Sequence, residues 1–314
     1  MSTAPTIEGP RSDRINSTAF QSLVISLVLA QGALWFAVSR GWLWLAVPLV
    51  LVAAHFIHGL LIGFHEASHG LLRRSRLLNE FDGLLIGILS LLPFSLYRVV
   101  HQSHHMHLST ERDEEFWPLV SPQAPRWARR LAAFLELNAA LIYSPTIFLR
   151  TFLRRGSPIR SRRVRRRIWT ELAMSVVVWI CILTLVARFD VWKYFLWMYL
   201  APAWLAANLQ SWRKYIEHVG MTGDTVNGCT RSIVPQSWLG RVFAFTLLHE
   251  PYHGIHHQQA GLPHTVLPEH TTLLTPKHPG ERVPFVSYRQ ALSDLLRSLA
   301  DPRVGPQWRR GTPA

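Results

Sequence analysis

Hydrophobic and polar positions alternate along this chain in long blocks rather than in the short periods of a soluble core. From Ile15 to Ser39 there are 25 residues without a formal charge, and Gly41 to His65 forms a second such run. A helical crossing of a bilayer needs about 20 mostly apolar residues. The pattern therefore predicts one span over about 20–38 and another over about 42–64, joined by the turn Ser39, Arg40, Gly41. The 15 uncharged residues from Gly83 to Tyr97 are short for a span, so a helix lying in or dipping into the interface is expected there. Residues 131–149 receive the same reading, because Glu136, Asn138 and Pro145 interrupt them. A third span is expected over about 168–187 and a fourth over about 194–212, with Arg188, Phe189 and Asp190 turning the chain between them. From Arg213 onward the chain is polar, except for a short apolar helix at about 242–248. The expected fold is an all-α integral membrane protein with about four transmembrane helices, interfacial helices and a cytoplasmic helical cap. One membrane domain covers 18–295, between a flexible N-terminal lead (1–17) and a flexible C-terminal tail (296–314).

Charge orients this scheme. Of 314 residues, 49% are hydrophobic, yet the net charge is +14. Eight of the arginines fall in one run, Arg154, Arg155, Arg160, Arg162, Arg163, Arg165, Arg166 and Arg167, directly before the third span. Basic residues beside a span stay on the cytoplasmic side. The run reads as a solvated juxtamembrane loop, and both termini are expected in the cytoplasm. No interleaving of aromatic and basic residues accompanies it, so nucleic acid is not the expected partner. The arginine-rich, lysine-poor composition points to a GC-rich bacterial coding sequence, and a bacterial inner membrane is the expected location. Cys181 and Cys229 form neither a disulfide framework nor a C-x-x-C pair.

With short turns outside, this topology gathers nearly all the histidines on one face of the membrane. His65 and His69 stand at i and i+4. His101, His104 and His105 form H-x-x-H-H, and His253, His256 and His257 repeat it. His218 sits alone, six residues beyond the fourth span. At these spacings the rings of each cluster share a helix face. Imidazole is the commonest metal ligand and suits Fe, Zn, Cu and Ni. Nine rings exceed what one ion takes and suit two ions with four or five each.

His65-Glu-Ala-Ser-His69, His101-Gln-Ser-His104-His105 and His253-Gly-Ile-His256-His257 resemble the three histidine boxes of the membrane fatty acid desaturase and hydroxylase superfamily. The stretch from His104 to Trp117, including Thr110 and Asp113, is similar to that family's continuation of its second box. Lys214-Tyr-Ile-Glu-His218 resembles the segment supplying the isolated ligand in the alkane hydroxylase branch, where the first position is usually Asn rather than Lys214. The resemblance covers about residues 20–290. It implies two non-haem irons held by His65, His69, His101, His104, His105, His218, His253, His256 and His257, and O2-dependent oxidation of an unactivated C–H bond. An external donor such as ferredoxin, rubredoxin or cytochrome b5 is implied too. The expected activity is desaturation of a fatty acyl chain carried as acyl-lipid, acyl-CoA or acyl-carrier protein. Hydroxylation or ketolation of an alkane, carotenoid or other lipid is the alternative that box spacing leaves open.

Glu66, Glu250 and Asp113 are expected to accept ring N–H groups and fix the tautomers of the ligands, with His249 and His107 in similar supporting places. His55 and His58, inside span two, line a channel or pair with another span. His264, His270 and His278 are expected on the surface. Trp117, Trp204, Trp212, Tyr215 and Tyr252 wall a chain-shaped pocket or form an interfacial belt. A rival from another class comes from residues 65–69 and 249–253, both of which match H-E-x-x-H, the pattern of a membrane zinc metalloprotease. It leaves both H-x-x-H-H clusters without a role.

Overall fold

The computed structural model describes residues 15–309; residues 1–14 of the expected lead and the last five residues of the sequence lie outside that range. The described chain is helical, without a β-strand; one isolated parallel bridge joins Ile233 and Phe285. Helix α1 (Thr18–Ser39) and helix α2 (Leu43–His69) form the first antiparallel pair. Gly70, with φ of 73°, ends α2 in the left-handed region that favours glycine.

The expected interfacial helix at 83–97 is a bent pair instead. Helix α3 (Arg76–Leu89) and helix α4 (Phe94–Met106) meet at 101°. Leu91, at φ 60°, and Pro93 break the helix between them. The corner closes because Gly83 lies against the Phe94 ring and Gly87 against the Leu92 carbonyl, where a Cβ would collide. The apolar run ends at Arg98 but α4 does not, and its last turns carry the second histidine cluster. The expected element at 131–149 is likewise two helices, α5 (Arg126–Asn138) and α6 (Ala140–Leu153), broken at Ala139.

Helix α7 (Arg162–Arg188) starts inside the arginine run, which is therefore not all loop. Ser161 caps it, accepting from the Val164 N–H. Arg165 donates to the Phe152 and Ile159 carbonyls, and Arg167 pairs with Glu80 and Glu171. These residues tie α7 to α3 and α6 besides carrying topological charge. The fourth expected span lies in an unbroken helical run: Trp192–Tyr194, a π segment Phe195–Leu200, then helix α8 (Ala201–His218). By length and apolarity α1, α2 and α7 qualify to cross a membrane, and the bent α3–α4 pair makes a fourth if taken as one span. Ile25, Val28, Leu29, Trp44, Val176 and Ile180 point outward from these helices. Such exposed apolar faces suit lipid rather than water.

Helix α2 is the hub, packing on α1, α3, α4 and α8. Beyond α8 come helix α9 (Trp238–Thr246), helix α10 (His253–Gln258) and helix α11 (Tyr288–Ser298). Over its described residues, 296–309, the expected tail packs against the body. Val304 is buried, the Trp308 indole donates to the Leu119 carbonyl, and Arg129 of α5 donates to the Pro302 carbonyl.

Candidate metal centre

Four helix ends converge: His65 and His69 at the end of α2, His101, His104 and His105 at the end of α4, His218 as the last residue of α8, and His253, His256 and His257 on α10. The nine rings fall into two adjoining groups. His65, His69, His101, His105 and His256 bring one nitrogen each within 4.8 Å of one another. His104, His218 and His257 do the same, and His253 joins them with its Nε2 2.7 Å from His218 Nε2 and 3.0 Å from His257 Nε2. The groups touch where His105 stacks on His257, ring centroids 4.3 Å apart.

Buried carboxylates fix the tautomers. His101 Nδ1–H donates to Glu115 at 3.1 Å, His104 Nδ1–H to Asp113 at 2.8 Å, and His253 Nδ1–H to Glu250 at 3.1 Å. An ionised carboxylate only accepts, so each of these rings turns a bare Nε2 inward. His101 Nε2 then faces His69 Nε2 at 3.0 Å and His105 Nε2 at 3.1 Å; His256 Nε2 lies 3.1 Å from His105 Nε2. One lone pair takes one N–H, so two equally close ring nitrogens call for a cation between them. Two nitrogens each about 2.1 Å from a shared ion and at right angles to it stand about 3.0 Å apart, which matches. His65 Nε2 is buried in the same group without a hydrogen bond. The donor set fits two ions that accept imidazole.

Electrostatics keep the downstream rings ready to bind. Burial lowers His256 and His257, and neighbouring imidazoles lower them further. Burial takes His253 down to about 4, although Glu250 opposes the shift. Neutral imidazole is the form that ligates metal.

Three supporting residues escaped the sequence reading. Glu115 was hidden in the acidic stretch after the second box, and Glu217 stands beside His218. Glu217 Oε2 lies 3.5 Å from His253 Nδ1. Arg213, buried, pairs with both Glu217 and Glu250. Glu250 Oε2 is 3.3 Å from His65 Nδ1 and Glu66 Oε1 is 3.5 Å from it, ion-pair distances at which His65 Nδ1 makes no hydrogen bond. One acid, Glu250, thus serves a ring in each group.

Other expected places change. His249, at φ 55°, turns away and stacks on His264, with Nδ1 atoms 3.3 Å apart. It supports no box ring, and His249 and His253 do not form the helical pair of a protease. His264, expected on the surface, is buried. His107 ends α4, and its carbonyl accepts from Thr110; its ring is outside the cluster's ring contacts. His55 reaches Thr246 of α9, and His58 is buried.

An apolar cavity of about 260 Å³ runs beneath the rings, between α1, α2, α3, α6 and α8. Its aromatic wall is Phe64, Tyr97, Phe148 and Tyr199, not the five aromatics expected. Tyr97 stacks on His101 with ring planes 5° apart, and Glu115 holds the same ring, so the cavity ends against the first group.

The fatty acid desaturase family profile matches residues 42–289. A Bacillus subtilis protein named "Fatty acid desaturase" is 24% identical over 285 residues, 82% of this chain and 75% of that protein. A Synechocystis "sn-1 acyl-lipid omega-3 desaturase (ferredoxin)" is 30% identical over 119 residues, 36% of this chain; the match spans only 32% of the relative's length. An endoplasmic reticulum omega-3 fatty acid desaturase of Vigna radiata is 37% identical over 57 residues, 18% of this chain and 15% of its own. With the profile covering most of the chain and all the histidine clusters, the protein belongs to the fatty acid desaturase family.

Proposed function

We propose that this protein is a membrane oxidoreductase that uses two non-haem irons, O2 and external electrons to desaturate a fatty acyl chain. The observation that carries the reading is the inward convergence of the nine histidines in groups of five and four. His65, His69, His101, His105 and His256 would hold one iron, and His104, His218, His253 and His257 the other. Bound there, the pair supplies the O2-dependent oxidising power that an unactivated C–H bond requires.

The chain's own residues do the rest. Asp113, Glu115 and Glu250 keep protons on Nδ1 and so keep Nε2 free. Arg213 neutralises Glu217 and Glu250, which would otherwise repel each other in the interior. The apolar cavity binds the chain and keeps bulk water away from the reacting carbons. Lys214, standing where the alkane hydroxylase branch has Asn, pairs with Glu136 at 2.8 Å and is not available as a ligand.

The substrate is an acyl-lipid, acyl-CoA or acyl-carrier protein, and the donor an acidic carrier such as ferredoxin, the partner that the Synechocystis relative's name specifies. Both termini and the histidine face lie in the cytoplasm of a bacterial inner membrane, on the side of the arginine run. Lipid extracts of an expressing host test this directly. Loss of two hydrogens from an acyl chain is expected. Gain of one oxygen without that loss would replace desaturation by hydroxylation.

A further inference from the structure

The cavity wall is apolar except for a few groups, and most of those are engaged. The Gln31 amide donates to the Met198 carbonyl, the Tyr199 hydroxyl to Leu89, and the Ser90 hydroxyl to Ile86. Glu115 holds His101. Gln31 Oε1 is buried without a partner. Besides Glu115, the charged groups on the wall are Glu136 of α5 and Lys214 of α8. Ser144 Oγ at 2.8 Å, Ser211 Oγ at 3.2 Å and Lys214 Nζ at 2.8 Å all donate to the same oxygen, Glu136 Oε1; Oε2 takes none of these bonds.

Lys214 stands over the Phe116 ring at 5.4 Å, and that ring packs on His104 and His218. The pair is therefore one aromatic ring away from the second histidine group. Replacing a buried ion pair by apolar side chains is commonly neutral or stabilising, so charge here needs a reason beyond packing. A purely hydrocarbon occupant would leave the second carboxylate oxygen and the remaining ammonium protons facing methylenes. A free carboxylate would meet Glu136 unfavourably. A hydroxyl satisfies both, donating to Glu136 Oε2 and accepting from Lys214 Nζ.

We propose that Glu136 and Lys214 form a recognition site for a hydroxyl group on the lipid that occupies the cavity, positioning the carbons next to it at the metal centre. This rests on the desaturase-type reading and deepens it, naming a hydroxyl-bearing lipid as the substrate class.

The test is equilibrium binding of labelled dodecan-1-ol, dodecane and dodecyl methyl ether to detergent-purified protein, corrected for partitioning into detergent. In the unmodified protein the alcohol is expected to bind about tenfold more tightly than the alkane, and about tenfold more tightly than the ether, which cannot donate. In Glu136→Leu/Lys214→Met the alcohol-to-alkane ratio is expected to fall to about one. Equal binding of alcohol and ether by the unmodified protein, or an unchanged ratio in the double variant, overturns the proposal. The comparison within the unmodified protein stands even if the variant fails to fold. Iron content read on the same samples separates the claims: missing iron refutes the centre, whereas a missing alcohol preference refutes only this site.

Discussion

Arg213→Met removes a side chain that pairs with carboxylates rather than with a histidine of the cluster, yet it is expected to loosen both histidine groups. Arg213 is 6% exposed and pairs with Glu217 and, at 2.6 Å, with Glu250. Glu250 holds His253 of one group through Oε1 and adjoins His65 of the other through Oε2; Glu217 adjoins His253. Without the guanidinium, two buried carboxylates face each other uncompensated, at a cost of about 3–5 kcal/mol of folding stability. Either they protonate or they move apart, and both release the ring tautomers. Loss of such supporting partners lowers metal affinity about 10–100-fold, or about 1.4–2.7 kcal/mol. The assay is iron retention during a chelator titration of detergent-purified protein, with the half-loss point expected at about 10–100-fold less chelator than for the parent. Arg129→Met is the control. Arg129 is also buried, pairs with Asp301 and donates to Pro302, but serves no metal ligand. Both variants should melt earlier, and only Arg213→Met should lose iron. An Arg213→Met protein that melts early but holds iron as the parent does would refute the linkage from Arg213 through Glu250 to the rings.

Other perturbations probe separate links. His105→Ala and His256→Ala should each abolish turnover while leaving membrane insertion intact; normal activity in either would reject the ligand assignment. Gly83→Ala drives a methyl group into the Phe94 ring, so the melting temperature should fall by the equivalent of about 1–3 kcal/mol and recover in Gly83→Ala/Phe94→Leu. Burial takes His264 down to about 3, against about 6.5 unfolded. Between those values the unfolded chain binds the extra proton, so stability falls with falling pH. Its share of the loss at pH 5 is about 2 kcal/mol. Metal-free His264→Leu should therefore show a shallower drop in melting temperature from pH 7 to 5 than the parent, and an equal drop would contradict the assignment.

What the sequence made legible follows from what is periodic. Uncharged runs revealed α1, α2 and α7, because lipid demands them over a fixed length. The i, i+3, i+4 spacing revealed the histidine-bearing helix faces. Hidden were features set by tertiary approach. The α3–α4 corner depends on Gly83 and Gly87 meeting Phe94 and Leu92 across a break that hydropathy reads as one apolar run. Glu115 and Glu217 look like ordinary acids until folding places them behind His101 and His253. The C-terminal residues resemble a tail because Val304 and Trp308 are isolated apolar positions, whose partners Leu119 and Arg129 lie far away in sequence. His249 misled through its motif: H-E-x-x-H presumes helix, and the chain takes φ 55° there.

The central claim is that two irons sit in the two histidine groups, and metal analysis of the detergent-purified protein with iron spectroscopy addresses it most directly. The account predicts about two irons per chain, ligated by nitrogen. One zinc per chain and no iron would contradict it.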